Sequence, residues 1–404
     1  MSKTLTFPGF VDVHVHFRDP GVPEAETTAS GLAAARRGGF AAVVTMPNTT
    51  PAIDSPELIR RQISRGQGLT ASPETVSDPA TGIGNTFIFP SACITRGRLG
   101  REVADLETLA EAGAAFFTDD GSYVADDKVM EAAMRRVADL NMVVCQHAMD
   151  PRIQAGGVIR DCALARRLNL PVISVATETT AIRRDLSLCR ETGCRLHIQH
   201  ISTAEGVALV RDAQKEGLPV TAEATPHHLL LTCDDIPLDD SSSPRHSSLS
   251  SPNSSFSSPN SSFFILHSSF FKMAPPLGNR EDRAELRKAV KEGALMFATD
   301  HAPHPAAKKS LGFLSSANGI IGLETAIPIT YAVMVEEEGM SVDAWAKAWY
   351  ELPRAIVAGI GTRALPETTV EIGAPRAVDV ASFASLSRNC PYDGLQFTCW
   401  PKEG

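Results

Sequence analysis

Three things are missing from this 404-residue sequence. No basic cluster offsets a formal net charge of -9, which argues against nucleic acid or an anionic membrane surface as the main partner. No apolar run is long enough to span a bilayer, and Met1-Ser-Lys-Thr-Leu-Thr6 has no apolar signal core. The eight cysteines (Cys93, Cys145, Cys162, Cys189, Cys194, Cys233, Cys390 and Cys399) form no CxxC pair. Cys145 sits inside an apolar run and reads as a small core residue, and a disulfide scaffold is not expected in so large a chain. The expectation from these absences is a reducing, cytoplasmic compartment. What is present, 43% hydrophobic and 21% charged residues, is an ordinary globular balance, long enough for one barrel-sized domain or two medium ones.

Short β-branched runs alternate with longer amphipathic stretches. The runs at 9–16, 40–48, 86–95, 114–120, 142–147, 195–202, 219–226 and 294–300 predict strands. The stretches at 24–38, 101–113, 126–140, 174–192, 203–216 and 279–292 predict helices, with Gly113, Gly193, Gly217 and Gly293 as stops. Eight such units imply an α/β fold with a parallel sheet and crossover helices, and point to a closed (β/α)8 TIM-like barrel rather than an open doubly wound sheet. Two segments break the pattern. Residues 67–85, rich in Gly, Thr, Ser and Pro, read as a surface loop. Residues 239–270 carry Ser250-Ser-Pro-Asn-Ser-Ser-Phe256 and its immediate repeat, Ser257 to Phe263. Such a tract cannot build a packed core and is expected to be a disordered, tolerated insert.

In barrels of this kind the chemistry sits at the C-terminal strand ends. Read in order, those ends are His14 and His16, Asn48, Asp119-Asp120, His147, His200, His227-His228, and Asp300-His301 with His304. In Val11-Asp-Val-His-Val-His16, strand alternation turns Asp12, His14 and His16 to one face and Val11, Val13 and Val15 to the other. Only one of Asp119 and Asp120 can face the mouth, and only one of His197 and His200. A carboxylate such as Asp300, ending a buried strand near metal, suits proton transfer. Arg18 is the best candidate clamp for a substrate carboxylate, the plainer reading being a surface ion pair with Asp19. Four histidines and two aspartates (His14, His16, Asp120 or Asp119, His147, His200 and Asp300) exceed one tetrahedral ion. A nitrogen and oxygen set without thiolate suits Zn²⁺ in a two-metal hydrolytic centre, with a bridging aspartate.

At these residues the chain resembles a dihydroorotase of the amidohydrolase superfamily. The stretches that carry the resemblance are Phe7-Pro-Gly-Phe-Val-Asp-Val-His-Val-His-Phe-Arg-Asp-Pro-Gly21, Met46-Pro-Asn-Thr49, Phe117-Thr-Asp-Asp-Gly121, His200-Ile-Ser-Thr203, Pro226-His-His-Leu229, Asp300-His-Ala-Pro-His304 and Gly319-Ile-Ile-Gly-Leu-Glu-Thr325. Phe-Thr-Asp-Asp-Gly is similar to the bacterial branch, in which Asp replaces a carboxylated lysine. The resemblance implies Asp120 as the bridging ligand and His200 as a ligand. It implies reversible cyclisation of N-carbamoyl-L-aspartate to L-dihydroorotate, with release of water, in pyrimidine biosynthesis. Hydroxide supplied by the metals, two zinc ions per chain in that family pattern, would be the nucleophile and Asp300 the proton carrier. By the same resemblance Arg18, Asn48 and His304 would hold the substrate carboxylate, and 305–321 would be a mobile loop over the site.

The chain departs from that family in three places. It starts almost at the first motif, so the small β-subdomain is expected to be truncated: residues 1–372 form the barrel, and 373–404 keep a vestige around 374–379 and 387–394. Ala274-Pro-Pro-Leu-Gly278 stands where the family often has Asn-Pro-Pro-Leu-Arg, whose Asn contacts the substrate ring. The Ser-rich insert lies just before it. Competing readings are a hydantoinase or allantoinase, and an inactive dihydroorotase-like scaffold for aspartate transcarbamoylase. For assembly the expected alternatives are a homodimer or association with that transcarbamoylase.

Overall fold

The computed structural model describes residues 2–70, 86–237, 268–361 and 363–402, with the side chains of 67–70 left aside. Its strands are β1 (Lys3–Phe7), β2 (Phe10–Val15), β3 (Phe40–Thr45), β4 (Phe87–Pro90), β5 (Val143–Gln146), β6 (Ile159–Arg160), β7 (Val172–Ile173), β8 (Arg195–Ile198), β9 (Val220–Ala224), β10 (Met296–Phe297), β11 (Thr368–Ala377) and β12 (Gln396–Pro401). Parallel pairing runs β2-β3-β4 and β5-β8-β9-β10. Phe117 bridges the two groups, pairing in parallel with Ala92 on one side and Val144 on the other, and Val15 pairs in parallel with His301. The eight expected runs therefore follow one another around a ring, the (β/α)8 barrel. None is regular for more than six residues, and the run at 114–120 pairs only through Phe117.

Amphipathic helices cover the ring at Thr28–Arg37, Asp127–Asp139, Ala176–Thr192, Ala204–Lys215 and Arg280–Lys291. Their starts are set by side-chain caps: Thr27, Asp126, Thr203 and Asn279 each accept a first-turn N–H. Gly113, Gly193, Gly217 and Gly293 take positive φ just past a helix, where a Cβ would be strained. Alternate strand residues (Val11, Val13, Ala42, Val44, Val143, Cys145, Met296, Ala298) form one apolar cluster closed by Ile356, Val357 and Ile360. The opposite faces (Val43, Val144, Leu196, Ile198, Phe297) pack against Leu32, Met134, Ile182, Val207 and Leu286 of the helices.

One expectation fails inside β2. The pairing register of β2 on β3 shifts between Asp12 and Val15. Val11 and Val13 join the cluster with Met296 and Ala298, whereas Val15 packs with the helices. Asp12 is not on the face of His14 and His16. Its carboxylate accepts the His14 N–H at 3.1 Å, the Thr299 N–H at 3.1 Å and the Thr299 hydroxyl at 2.5 Å. A bulge of this kind re-aims the side chains that follow it.

Outside the barrel, β1, β11 and β12 form an antiparallel sheet that ties residues 3–7 to 368–377 and 396–401. A division at residue 372 falls inside β11. The two-residue pair β6-β7, absent from the sequence reading, lies between β5 and β8 in the chain. The helix Pro56–Thr70 takes in 67–70, which were expected to be loop. The rest of the expected loop, and all of the expected insert except Ser268 to Phe270, lie outside the described residues. No described helix is long and apolar enough to cross a membrane.

Candidate active site

Six side chains from five strand ends converge. The His14 imidazole, 0% exposed, sits with Nε2 3.3 Å from Asp120 Oδ1 and 3.5 Å from Asp300 Oδ1. His16 Nε2 lies 3.0 Å from Asp300 Oδ1 and 3.4 Å from Asp120 Oδ2. His147 Nδ1 and His200 Nε2 are 2.7 Å apart, and lie 3.5 and 3.6 Å from Asp120 Oδ1. The two Asp120 oxygens thus face different histidines, Oδ2 toward His16 and Oδ1 toward His14, His147 and His200. His14, His16 and Asp300 offer ligand atoms within 4.8 Å of one another, and so do His14, Asp120 and His200.

Both open choices are resolved by where the other member goes. The Asp119 carboxylate accepts the N–H groups of Ile94 and Thr95 at 2.9 and 3.1 Å and the Thr95 hydroxyl, on the far side of the strand. His197 is spent between Thr221 Oγ1 at 2.8 Å and Glu223 Oε2 at 2.9 Å. His301 also faces away, toward Glu26 and the N–H groups of Gly322 and Leu323. His228 is held by Thr225 Oγ1 and the Pro275 carbonyl, while buried His227 Nε2 has no hydrogen-bond partner among the described residues. Among the described residues, three of the seven non-glycine residues with positive φ are Arg18 (54°), His200 (34°) and Asp300 (48°). Such backbone strain collects at functional sites.

Sequence reasoning passed over Glu223. Its Oε1 accepts from His14 Nδ1 at 2.6 Å and from the His200 backbone N–H at 3.1 Å. A carboxylate behind a ligating imidazole fixes its tautomer and leaves Nε2 as the lone-pair face. The available signal was a glutamate inside the buried run Val220-Thr-Ala-Glu-Ala224, where a charge requires a partner. Gln199, also passed over, accepts the Thr118 hydroxyl at 2.9 Å and donates to Met46 Sδ at 3.3 Å.

The electrostatics call for cations. Burial alone would depress the His14 imidazole, but Asp120, Glu223 and Asp300 raise it well above its ordinary value. Burial would raise Asp120, yet the charge of His14 and the close approach of the His14, His147 and His200 rings bring it well below the usual carboxylate range. Asp300 is lowered in the same way, against its burial, by His14 and His16. Among the described residues, His14 Nε2 and Asp120 Oδ1 are buried without a hydrogen-bond partner. Orphaned donor atoms facing each other at 3.3 Å, in a set of imidazoles and carboxylates, fit a divalent ion of the zinc class.

Around this centre the other candidates are placed differently. Arg18 is not paired with Asp19, whose carboxylate is taken by Arg65 and Thr28. Its Nε reaches only the Pro303 carbonyl, at 3.3 Å. Burial lowers Arg18 to about 10, with Asp300 and Asp120 acting in the other direction. Asn48 spans two ligands: Oδ1 is 2.9 Å from His16 Nδ1, and Nδ2 donates to Asp120 Oδ2 at 3.3 Å. His304 Nε2 lies 2.6 Å from the Asn318 carbonyl. The segment 305–321, expected as a mobile loop, is built as two short helical turns, Ala306–Lys309 and Gly312–Ser315, held by buried lysines.

Residues 3–206 match the family model described as dihydro-orotase-like. The chain is 37% identical, over 98% of its own length and 84% of the relative's, to the dihydroorotase of Geobacillus thermodenitrificans (strain NG80-2). Among solved structures it superposes on an L-hydantoinase from Arthrobacter aurescens with a TM-score of 0.75 at 23% identity, covering 98% of this chain and 83% of that one. It superposes on a Saccharomyces cerevisiae dihydroorotase in complex with 5-fluoroorotic acid with a TM-score of 0.69 at 15% identity, covering 99% and 98%. At those identities the two structures speak for the fold, whereas the family rests on the sequence match.

Proposed function

This chain belongs to the dihydroorotase family of cyclic amidohydrolases, and from that premise we propose that its six convergent ligands hold two divalent ions, zinc by preference. It is a dihydroorotase, interconverting N-carbamoyl-L-aspartate and L-dihydroorotate. His14, His16 and Asp300 would hold one ion and His147 and His200 the other, with Asp120 shared between them. The observation that carries this division is the Asp120 carboxylate, one oxygen toward His16 and the other toward His147 and His200, with His14 standing between the two sets. Such a pair lowers the pKa of water and polarises a carbonyl oxygen.

The protein's own groups do the rest. Asp300, held ionised, takes the proton of the attacking water when the ring is opened and returns it to the departing ring nitrogen. In the closing direction it takes the proton from the carbamoyl nitrogen. Arg18 keeps its terminal guanidinium nitrogens for the substrate carboxylate. Asn48 has a second amide proton beyond the one given to Asp120, and His304 completes that end of the pocket. Glu223 and Asn48 keep the His14 and His16 rings in their ligating tautomers.

The test is turnover by the purified, zinc-loaded chain of dihydroorotate, hydantoin and allantoin, with metal analysis on the same sample. Ring opening of dihydroorotate with roughly two zinc ions per chain is the expected result. Opening of hydantoin alone would overturn the substrate, and no bound zinc after reconstitution would favour the scaffold reading instead. The cytoplasm as compartment and assembly as a homodimer or with aspartate transcarbamoylase stay part of this proposal, as does the division of the chain at residue 372.

A further inference from the structure

Two ammonium groups are buried beside the substrate end of the site without an acid to pair with. Lys309 is 3% exposed and Lys272 is 6% exposed. Among the described residues neither forms an ion pair, and both give their protons to backbone carbonyls instead. Lys272 Nζ donates to the carbonyls of Leu314 and Ser316, each at 2.8 Å. Lys309 Nζ donates to those of Ala317 and Gly319, each at 2.9 Å, and reaches the Lys272 carbonyl at 3.4 Å. The Gly319 N–H closes the set on the Lys272 carbonyl at 2.9 Å. Burial, then the second ammonium, pulls Lys309 down to about 7, so the arrangement is held against a cost.

Asn318 is the residue these contacts leave between them. Its carbonyl meets His304 Nε2 at 2.6 Å. A carbonyl only accepts, so Nε2 carries the hydrogen and Nδ1 is the free edge of the ring. A carboxylate placed at Nδ1 requires a second proton there; burial, then the charges of Arg18 and Lys309, pulls the ring down to about 3, so the ring is neutral until the arriving carboxylate draws that proton on, with the Asn318 carbonyl on Nε2–H acting in the same direction. The other end of the histidine is fixed as well: its backbone N–H lies 3.3 Å from Asn389 Oδ1, and Asn389 Nδ2 donates to Ala302 and to Gly319.

We propose that Lys309 and Lys272 are positioning residues for the carboxylate end of the substrate: by holding the carbonyls on both sides of Asn318, they aim the Asn318 carbonyl at His304 and so orient its imidazole. The proposal rests on the dihydroorotase reading and on His304 as a carboxylate contact. Lys272 belongs to the same segment as Ala274, so the clamp also ties the 312–319 turn to the stretch that departs from the family pattern.

The experiment uses the full, zinc-loaded chain and N-carbamoyl-L-aspartate. Lys309→Met should raise KM roughly tenfold or more, the loss expected when a charge-assisted contact is no longer aimed, with kcat within about twofold and zinc content unchanged. Lys272→Met should act in the same direction. Because both act through His304, Lys309→Met added to His304→Ala should leave KM where His304→Ala alone puts it. If both lysine variants fail to fold, hydrogen exchange on the unsubstituted protein decides: the amides of Ser316, Ala317 and Gly319 should exchange roughly a hundredfold more slowly than free peptide. Unchanged KM in the folded lysine variants, multiplying effects in the double variant, or free-peptide exchange would each overturn the clamp. Absence of dihydroorotate turnover in the unsubstituted chain would overturn the parent reading instead.

Discussion

Glu223→Gln tests the centre where its electrostatics are most concentrated. The glutamate is 0% exposed and accepts three hydrogen bonds, from His14 at 2.6 Å, from His197 at 2.9 Å and from the His200 N–H at 3.1 Å. Burial would push its carboxyl up, but His14 and His197 bring it down to about 2, so it is a carboxylate at any working pH. Glutamine has the same shape. Its oxygen can still accept from His14 Nδ1–H, and its amide can face His197 Nε2 once that ring donates from Nδ1 to Thr221. What is lost is the charge. Removing the partner behind a ligating histidine typically weakens metal binding 10- to 100-fold, about 1.4–2.8 kcal/mol. That agrees with the 1.5–3 kcal/mol typical of hydrogen bonds to charged groups. The assay is zinc competition against a chelator of known affinity, for the variant and the unsubstituted chain. Turnover at saturating zinc should recover to within about tenfold if the loss is mainly one of metal retention. Equal zinc affinity in the two proteins would refute the reasoning, because the 2.6 Å contact would then be silent.

Further outcomes can be stated now. Asp300→Asn keeps the size of the side chain but cannot take a proton, so kcat should fall by roughly 10²–10⁴ while most zinc is retained; a kcat within tenfold of the unsubstituted value would remove Asp300 as proton carrier. Arg18→Ala should raise KM for N-carbamoyl-L-aspartate by at least about tenfold with a smaller effect on kcat, and an unchanged KM would end the clamp assignment. Stripping zinc should lower the melting temperature as well as abolish turnover, since an ion at 100 times its Kd stabilises the folded state by about 2.7 kcal/mol; coincident melting curves with and without zinc would contradict a site in the folded state. Gly278→Arg, which restores the commoner family residue, should destabilise the chain, because a Cβ there would stand 2.6 Å from Asp282 Cβ and 2.9 Å from the Ser202 carbonyl oxygen. A melting temperature equal to that of the unsubstituted chain would show that Asp282 moves aside.

The site was legible because a parallel barrel brings strand C-terminal ends to one rim whatever lies between them. Reading the polar residues at the strand ends was enough to collect His14, His16, His147 and Asp300 and to narrow the rest to Asp119 or Asp120 and His197 or His200, of which the dihydroorotase resemblance named Asp120 and His200. Alternation also announced that one member of each close pair must turn away. It could not say which, because that depends on partners elsewhere: Thr95 takes Asp119, and Thr221 with Glu223 takes His197.

What stayed hidden has a common physical form. The shift in β2 between Asp12 and Val15 is driven by no local signal in Val-Asp-Val-His-Val-His. It shows only in the Thr299 backbone and hydroxyl, 287 positions away, that receive the Asp12 carboxylate. Glu223 and His14 are 209 positions apart. In each case burial makes a partner obligatory, because an unpaired carboxylate in an apolar setting would protonate or unfold the strand. The obligation can be read from one segment, as an acid inside an apolar run. The identity of the partner cannot, since it belongs to the closure of the ring. The clearest warning of an outer partner in such a sequence is therefore a buried charge at a place where a strand has no reason to carry one.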